Sequence, residues 1–262
     1  MAFGSEGIGP GRFKDQRTIA VDAQGHIYVG EYSNGRIQSF DSAGKYLTEW
    51  SLGRNKYLQG LAADRAGTVY AVADGHILQF TGATGAAINE MENVSGDAVE
   101  DYRDASVAPN GDVYAIAGQS DIVILSADGK IKQIIKASDK VGEDISLEKI
   151  VKVGTGEMFA LDRQQGIFKF AADGRYINRF GGGEGRGPEH LSSPQSLAVD
   201  GEGRIYVTDF GPSIKVYNGD GGYIDSIGDN QIAFGLAIND HDEIFACFRN
   251  QHEIRKFVPV KH

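Results

Sequence analysis

The chain is poor in cysteine, in proline, in basic charge and in long apolar runs, and each shortage excludes something. A single cysteine, Cys247, rules out any internal disulfide, and the compartment is left open by it. Six prolines in 262 residues do not make a proline-rich disordered chain. No apolar run approaches the roughly 18 residues of a membrane span, and Met1–Glu6 carries neither the basic nor the apolar stretch of a secretory signal. Lys and Arg number 26 against 36 Asp and Glu, a net charge of −10. That balance opposes binding to phosphate backbones, so no nucleic-acid partner is expected. No contact of this chain with a membrane is expected either.

What is abundant is glycine, at 36 residues, alongside a hydrophobic content of 41% that suffices for a core. The glycines recur. Gly25, Gly67, Gly111, Gly156 and Gly203 each follow a short strand pattern and open a turn, and Asp242 takes the same slot once more. The intervals are 42, 44, 45, 47 and 39 residues. A four-stranded unit repeating at about 40–45 residues marks a β-propeller blade. Blade five is the clearest copy: Leu197–Val199, Arg204–Thr208, Ile214–Tyr217 and Tyr223–Ile227, with turns rich in Gly, Asp and Asn. Innermost strands such as Ile19–Val21 and Leu61–Ala63 hold small residues, as crowding round an axis demands. A ring recurs in every second strand, at Tyr28, Tyr70, Tyr114, Phe159, Tyr206 and Phe245, suited to filling the space between blades.

The fold class predicted is all-β: a six-bladed propeller of four-stranded antiparallel blades, occupying residues 1–262 as one domain. The sixth copy lacks a fourth strand. Phe3–Pro10 resembles Phe180–Pro188, which directly follows a fourth strand, so Met1–Phe3 is expected to close the ring against Glu253–Phe257. An open ring would leave unpaired strand edges. So short a remnant suggests a domain of a larger protein, expected to be bacterial and extracytoplasmic, with the propeller itself a monomer.

The units resemble NHL repeats. The residues that carry this are Gly9-Pro10-Gly11-Arg12-Phe13, Ile19-Ala20-Val21-Asp22 with Gly25, Ile27, Tyr28 and Val29, and Asn34–Asp41 with Gly44; blade five matches over Leu197–Gly222. Blades three and four depart from the pattern, with Ala108 and Val153 where blades one, two and five have Asp before the turn. The resemblance implies a propeller and leaves function open, because the scaffold hosts both binding modules and enzymes.

Loops leading into the first strands, and those joining strands two and three, should share one face, here called the top. The position two before each first strand is Arg17, Gln59, Arg103, Glu148, Gln195 and Phe234. Glu31, Asp162 and Asp209 leave the second strands on the same face, with Arg249 further out. One reading makes these ten residues a ligand site at the channel mouth, where guanidinium groups suit carboxylate or phosphate. The other makes them partners of backbone groups at strand ends around a water-filled channel. Two acidic loops, 92–104 and 137–149, would lie side by side on this face and suit a basic peptide, or serve only solubility. NHL propellers that bind RNA present basic top faces, which this acidic chain does not promise.

Catalytic readings are weaker. NHL-like amidating lyases hold a zinc with three His; here only His76, His190 and His252 reach the top face, in different blades and without the lyase pattern round them. A calcium site of the gluconolactonase type would use Glu31, Glu148, Asp162 and Asp209. Cys247 lies in an apolar strand and reads as core. No cofactor is expected. The expected function is non-catalytic recognition of a protein, peptide or small molecule at the top face; the alternative is a metal-dependent lyase or lactonase at the channel mouth.

Overall fold

Turn chemistry is what makes the six copies alike, and it starts with one residue. The computed structural model describes residues 1–53, 56–91, 101–183, 185, 187–211, 214–228 and 231–258. In blade one the Asp22 carboxylate accepts the amides of Gln24 and His26, each at 2.9 Å, and the Tyr28 hydroxyl at 2.9 Å. Gly25 then reverses the chain at φ 81°. Blades two and five repeat the arrangement through Asp64 with Tyr70 and Asp200 with Tyr206. In blade six Asn239 accepts the two amides, Asp242 adopts φ 59° in the glycine slot, and the ring is Phe245. Blade four pairs Val153 with Phe159, so neither a carboxylate nor a hydroxyl is left over. The backbone turn is the same in all six, closed by hydrogen bonds such as Gly156 N to Val153 O.

Among the described residues the sheets are six four-stranded antiparallel blades and one short parallel pair, Ser5–Glu6 with Arg12–Phe13. Blade one comprises Gln16–Val21, Ile27–Glu31, Arg36–Phe40 and Tyr46–Ser51. Blade two comprises Leu58–Ala63, Thr68–Ala73, His76–Thr81 and Ala86–Glu90. Blade three comprises Tyr102–Val107, Val113–Ala117, Asp121–Leu125 and Ile131–Lys136. Blade four comprises Leu147–Lys152, Met158–Asp162, Gly166–Phe170 and Tyr176–Gly181. Blade five comprises Pro194–Val199, Ile205–Asp209, Ile214–Tyr217 and Tyr223–Ile227. Blade six comprises Leu236–Ile238, Ile244–Phe248 and Glu253–Phe257, completed by Ala2–Phe3. Ala2 pairs with Arg255 and Phe3 with Ile254, as the sequence predicts. The segment 137–149, expected to be loop, contains a five-residue helix, Ala137–Val141, ended by Gly142 in the left-handed region. No helix among the described residues is long and apolar enough to cross a membrane.

Burial follows from position in the blade. Five of the six second strands are buried at every residue, because a neighbouring blade covers each face. The outermost strand Tyr46–Ser51 alternates half-buried and exposed, the period of two of a strand with one wet face. The recurrent rings, Tyr28 to Phe245, are each at most 9% exposed. They sit in apolar clusters, one at each blade interface. Trp50 packs between blades, 6.3 Å from Tyr28 and 6.0 Å from Phe80.

The Asp–Tyr pair is testable, because blade four shows what replaces it. Asp200→Val and Tyr206→Phe should each destabilise the protein, by roughly 2–3 and 1–2 kcal/mol. The double variant should recover at least about 1 kcal/mol relative to their sum. Chemical denaturation measures all three; strict additivity would mean that the hydroxyl–carboxylate bond contributes nothing.

Candidate functional site

The loops leading into the innermost strands meet round a cavity of about 800 Å³ at the top of the channel. Arg17, Gln59, Arg103, Glu148, Gln195 and Phe234 all line it. Sequence reasoning placed these residues ahead of the first strands. Five of them instead lie inside the strands, each at a β-bulge. Gln16 pairs with Glu31 and Thr18 with Gly30, so Arg17 is the extra residue. Gln59, Arg103, Glu148 and Gln195 are skipped in the same way in blades two to five. A bulge locally breaks the alternation of side chains and re-aims one of them. That is why Lys149 lines the cavity beside Glu148, and Thr18 beside Arg17. In blade six Phe234 precedes the strand, its amide bonded to the Cys247 carbonyl at 2.9 Å. Gly235 follows, and a Cβ there would overlap the Arg17 carbonyl oxygen, so glycine is what lets blade six meet blade one at the mouth.

The blade-one side is organised by Asp15, which sequence reasoning missed. Its carboxylate accepts Arg17 Nε at 2.8 Å and Arg17 Nη2 at 3.2 Å, and also the Ser33 hydroxyl and Arg249 Nε. Burial pushes the Asp15 carboxyl up, but the hydrogen bonds from Arg17, Ser33 and Arg249 outweigh burial and hold it below its usual range. The Arg17 guanidinium lies 4.3 Å from the Tyr32 ring centre, and that of Arg249 5.6 Å from Phe234. Arg249 thus backs the wall of the cavity and is not part of its lining. Phe210 stands edge-on to Phe234 with ring centres 5.5 Å apart.

On the far side Lys149 donates to the Gln59 carbonyl at 2.8 Å and to Asp104 at 3.0 Å. Asp104 is 6% exposed, and burial raises its carboxyl against the pull of Lys149 and the Ile150 amide. Arg163 pairs with Glu148 at 2.8 Å. Arg103 reaches only the Ser146 hydroxyl, at 3.5 Å, and has no ion-pair partner among the described residues. Gln195 turns its amide back on the Ser193 and Pro194 carbonyls, at 3.0 and 3.2 Å.

Besides Arg249, three expected members do not line the cavity. Glu31, Asp162 and Asp209 are 1%, 3% and 1% exposed. Each clamps the loop ahead of its blade's innermost strand. Glu31 accepts the amides of Lys14 and Asp15, Asp162 that of Ser146, and Asp209 those of Ser192 and Ser193. These three contacts are the strand-end partnerships that the sequence offered as one of its two readings. The acidic-loop expectation also changes. Asp104 is buried in a strand, and Glu143 and Glu148 pair with Arg179 and Arg163. Residues 92–100 of the first loop, with Glu92, Asp97 and Glu100, lie outside the described residues.

The candidate metal ligands do not converge. His76 bonds Glu90 at 2.6 Å, His190 neighbours Glu189 at 3.2 Å, and His252 caps the turn Arg249–Gln251. Among the described residues no three His, Cys, Asp or Glu come together as a metal requires. Cys247 is buried, and burial pushes its thiol far up.

No family model matches the chain, and no curated protein matches it. Solved structures do. A protein of unknown function from Bacteroides caccae is 16% identical, with a TM-score of 0.64 over 85% of this chain and 82% of that one. A structural genomics protein of unknown function from Bacteroides thetaiotaomicron VPI-5482 is 13% identical, with a TM-score of 0.74 over 98% of this chain and 74% of that one. At such identities the likeness establishes the propeller fold.

Asp15 supplies a pH test. A carboxyl held low in the folded state stabilises above its unfolded pKa, and that stability is lost as pH falls through the folded value. Asp15→Ala should therefore destabilise the protein by about 1–3 kcal/mol at neutral pH. The gap to wild type should shrink below about pH 4. Denaturation at pH 7 and pH 3 measures it; an equal gap at both would deny the ionised hub.

Proposed function

We propose that the chain is a non-catalytic recognition propeller of the NHL type, reading a ligand in the top-face cavity. One observation carries this. Five bulged strand positions, and Phe234 just ahead of the sixth strand, aim six side chains at one concave space, and those side chains differ from blade to blade. The positions that hold the blades together stay alike, as in the Asp and Tyr of blades one, two and five. A volume of about 800 Å³ falls within the range of small-molecule sites. Of the four carboxylates that a lactonase-like metal would need, Glu31, Asp162 and Asp209 are engaged by backbone amides and Glu148 by Arg163, which favours recognition over catalysis.

A thermal-shift screen of small molecules against wild type and Gln195→Trp tests the reading. The indole would fill the mouth without touching the buried clamps. A ligand at about 100 times its Kd stabilises by about 2.7 kcal/mol, a Tm rise of about 5–10 °C for a chain of this size. The rise should vanish in Gln195→Trp. Ligands that shift both proteins equally would put the site elsewhere.

A further inference from the structure

We propose that the mouth takes a small organic anion with an apolar ring: a carboxylate or phosphate ester anchored by Arg103, with the ring against Phe234. The inference rests on the mouth being the recognition site.

Charge is the first argument. The chain carries −10 overall, yet the cavity is lined by Arg17, Arg103, Lys149 and Arg163 against only Asp101 and Glu148. Three of these cations are paired, with Asp15, Asp104 and Glu148, which leaves Arg103 as the lining cation with no ion-pair partner among the described residues. Availability is the second argument. Arg17 is held in a fork on Asp15 and over Tyr32, Lys149 on Asp104 and the Gln59 carbonyl, and Arg163 on Glu148. Arg103 has only the 3.5 Å contact with Ser146 among the described residues. It is half-buried, so its five donors are partly removed from water. A guanidinium so placed is matched by two oxygens of a carboxylate or phosphate, in parallel charge-assisted bonds.

Position is the third argument. In a ring of six, blades three and six face each other across the axis. Arg103 belongs to blade three, and the matching position of blade six is Phe234, the one apolar member of the six. Phe210, 44% exposed, extends that wall. A ligand spanning the mouth thus meets a guanidinium at one side and aromatic faces at the other.

The test is an NMR titration following the Arg Nε–H signals and the Phe234 ring. The probes are 3-phenylpropionate, phenyl phosphate, the neutral 3-phenylpropanamide, and inorganic phosphate. At least one aryl anion should shift the Arg103 and Phe234 signals saturably, and the comparison of the two decides between carboxylate and phosphate ester. Arg103→Met should weaken that binding about 10- to 100-fold, with Arg103→Lys intermediate because it keeps charge without the fork. A retained Tm for either variant shows that folding is not the cause. Amide binding as tight as propionate, unaffected by Arg103→Met, would overturn the anion anchor while leaving a recognising mouth. Inorganic phosphate binding as tightly as phenyl phosphate would overturn the ring contact. Silence of Arg103 towards all four probes would overturn the proposal, and the Gln195→Trp screen would then judge the recognition reading separately.

Discussion

The last blade must meet the first, and the rest of the molecule depends on that contact. A sheet buried between neighbours has no stable alternative if one neighbour is missing, because its apolar face and its strand edge would both be exposed. The joining strand is only two residues long, Ala2–Phe3. Its backbone pairs with blade six, while the Phe3 ring packs 4.9 Å from Phe40 of blade one. Behind it Phe245, Cys247 and Ile254 share one apolar cluster with Ile19, Ile27 and Phe40. Gln16 of blade one also donates to the Phe248 carbonyl of blade six at 3.1 Å. Closure is therefore carried mainly by side chains at the interface, and the short strand fixes its register.

Both faces use carboxylates, for different ends. At the bottom an Asp such as Asp22 stays within its own turn and ties it to a Tyr of the same blade. At the top the last residue of a second strand reaches to the loop ahead of the first. That bond sets where the loop joins the strand, and hence where the bulged residue points. Glu31, Asp162 and Asp209 shape the mouth from behind without touching its contents. Blades two and three have Ala73 and Ala117 there, and blade three's loop is held by a backbone bond, Gly118 N to Asp101 O at 3.2 Å.

Strand alternation, turn residues and the repeat interval made the propeller legible from residues alone, down to the closing of the ring by Met1–Phe3 against Glu253–Phe257. Those signals are local or periodic, and they survive in one dimension. The bulges do not. Alternation puts Arg17 and Thr18, or Glu148 and Lys149, on opposite faces of a strand, and only the pairing register shows both at the cavity. The same limit left both readings of Glu31, Asp162 and Asp209 open. A carboxylate at a strand exit serves a cavity or a backbone amide with equal sequence likelihood, and the partner amide lies about sixteen residues away, as for Ser146 and Asp162. Asp15 was invisible because its importance comes from Arg249, 234 residues distant.

Arg17 and Arg103 show what separates residue type from chemical role. They occupy the same bulge in blades one and three, and by type they are interchangeable. Their surroundings make them different reagents. Asp15 neutralises Arg17 and directs its fork inward on the protein, so its planar face is turned to Tyr32 and its charge is largely cancelled. No carboxylate among the described residues does this for Arg103. Repetition multiplied one scaffold position six times; the neighbours, which the repeat does not dictate, decide which copy keeps an uncancelled charge. The electrostatics of such a ring are thus set one layer behind the residues that line it. Asp15 and Asp104 matter as much to the chemistry of the mouth as the cations they hold.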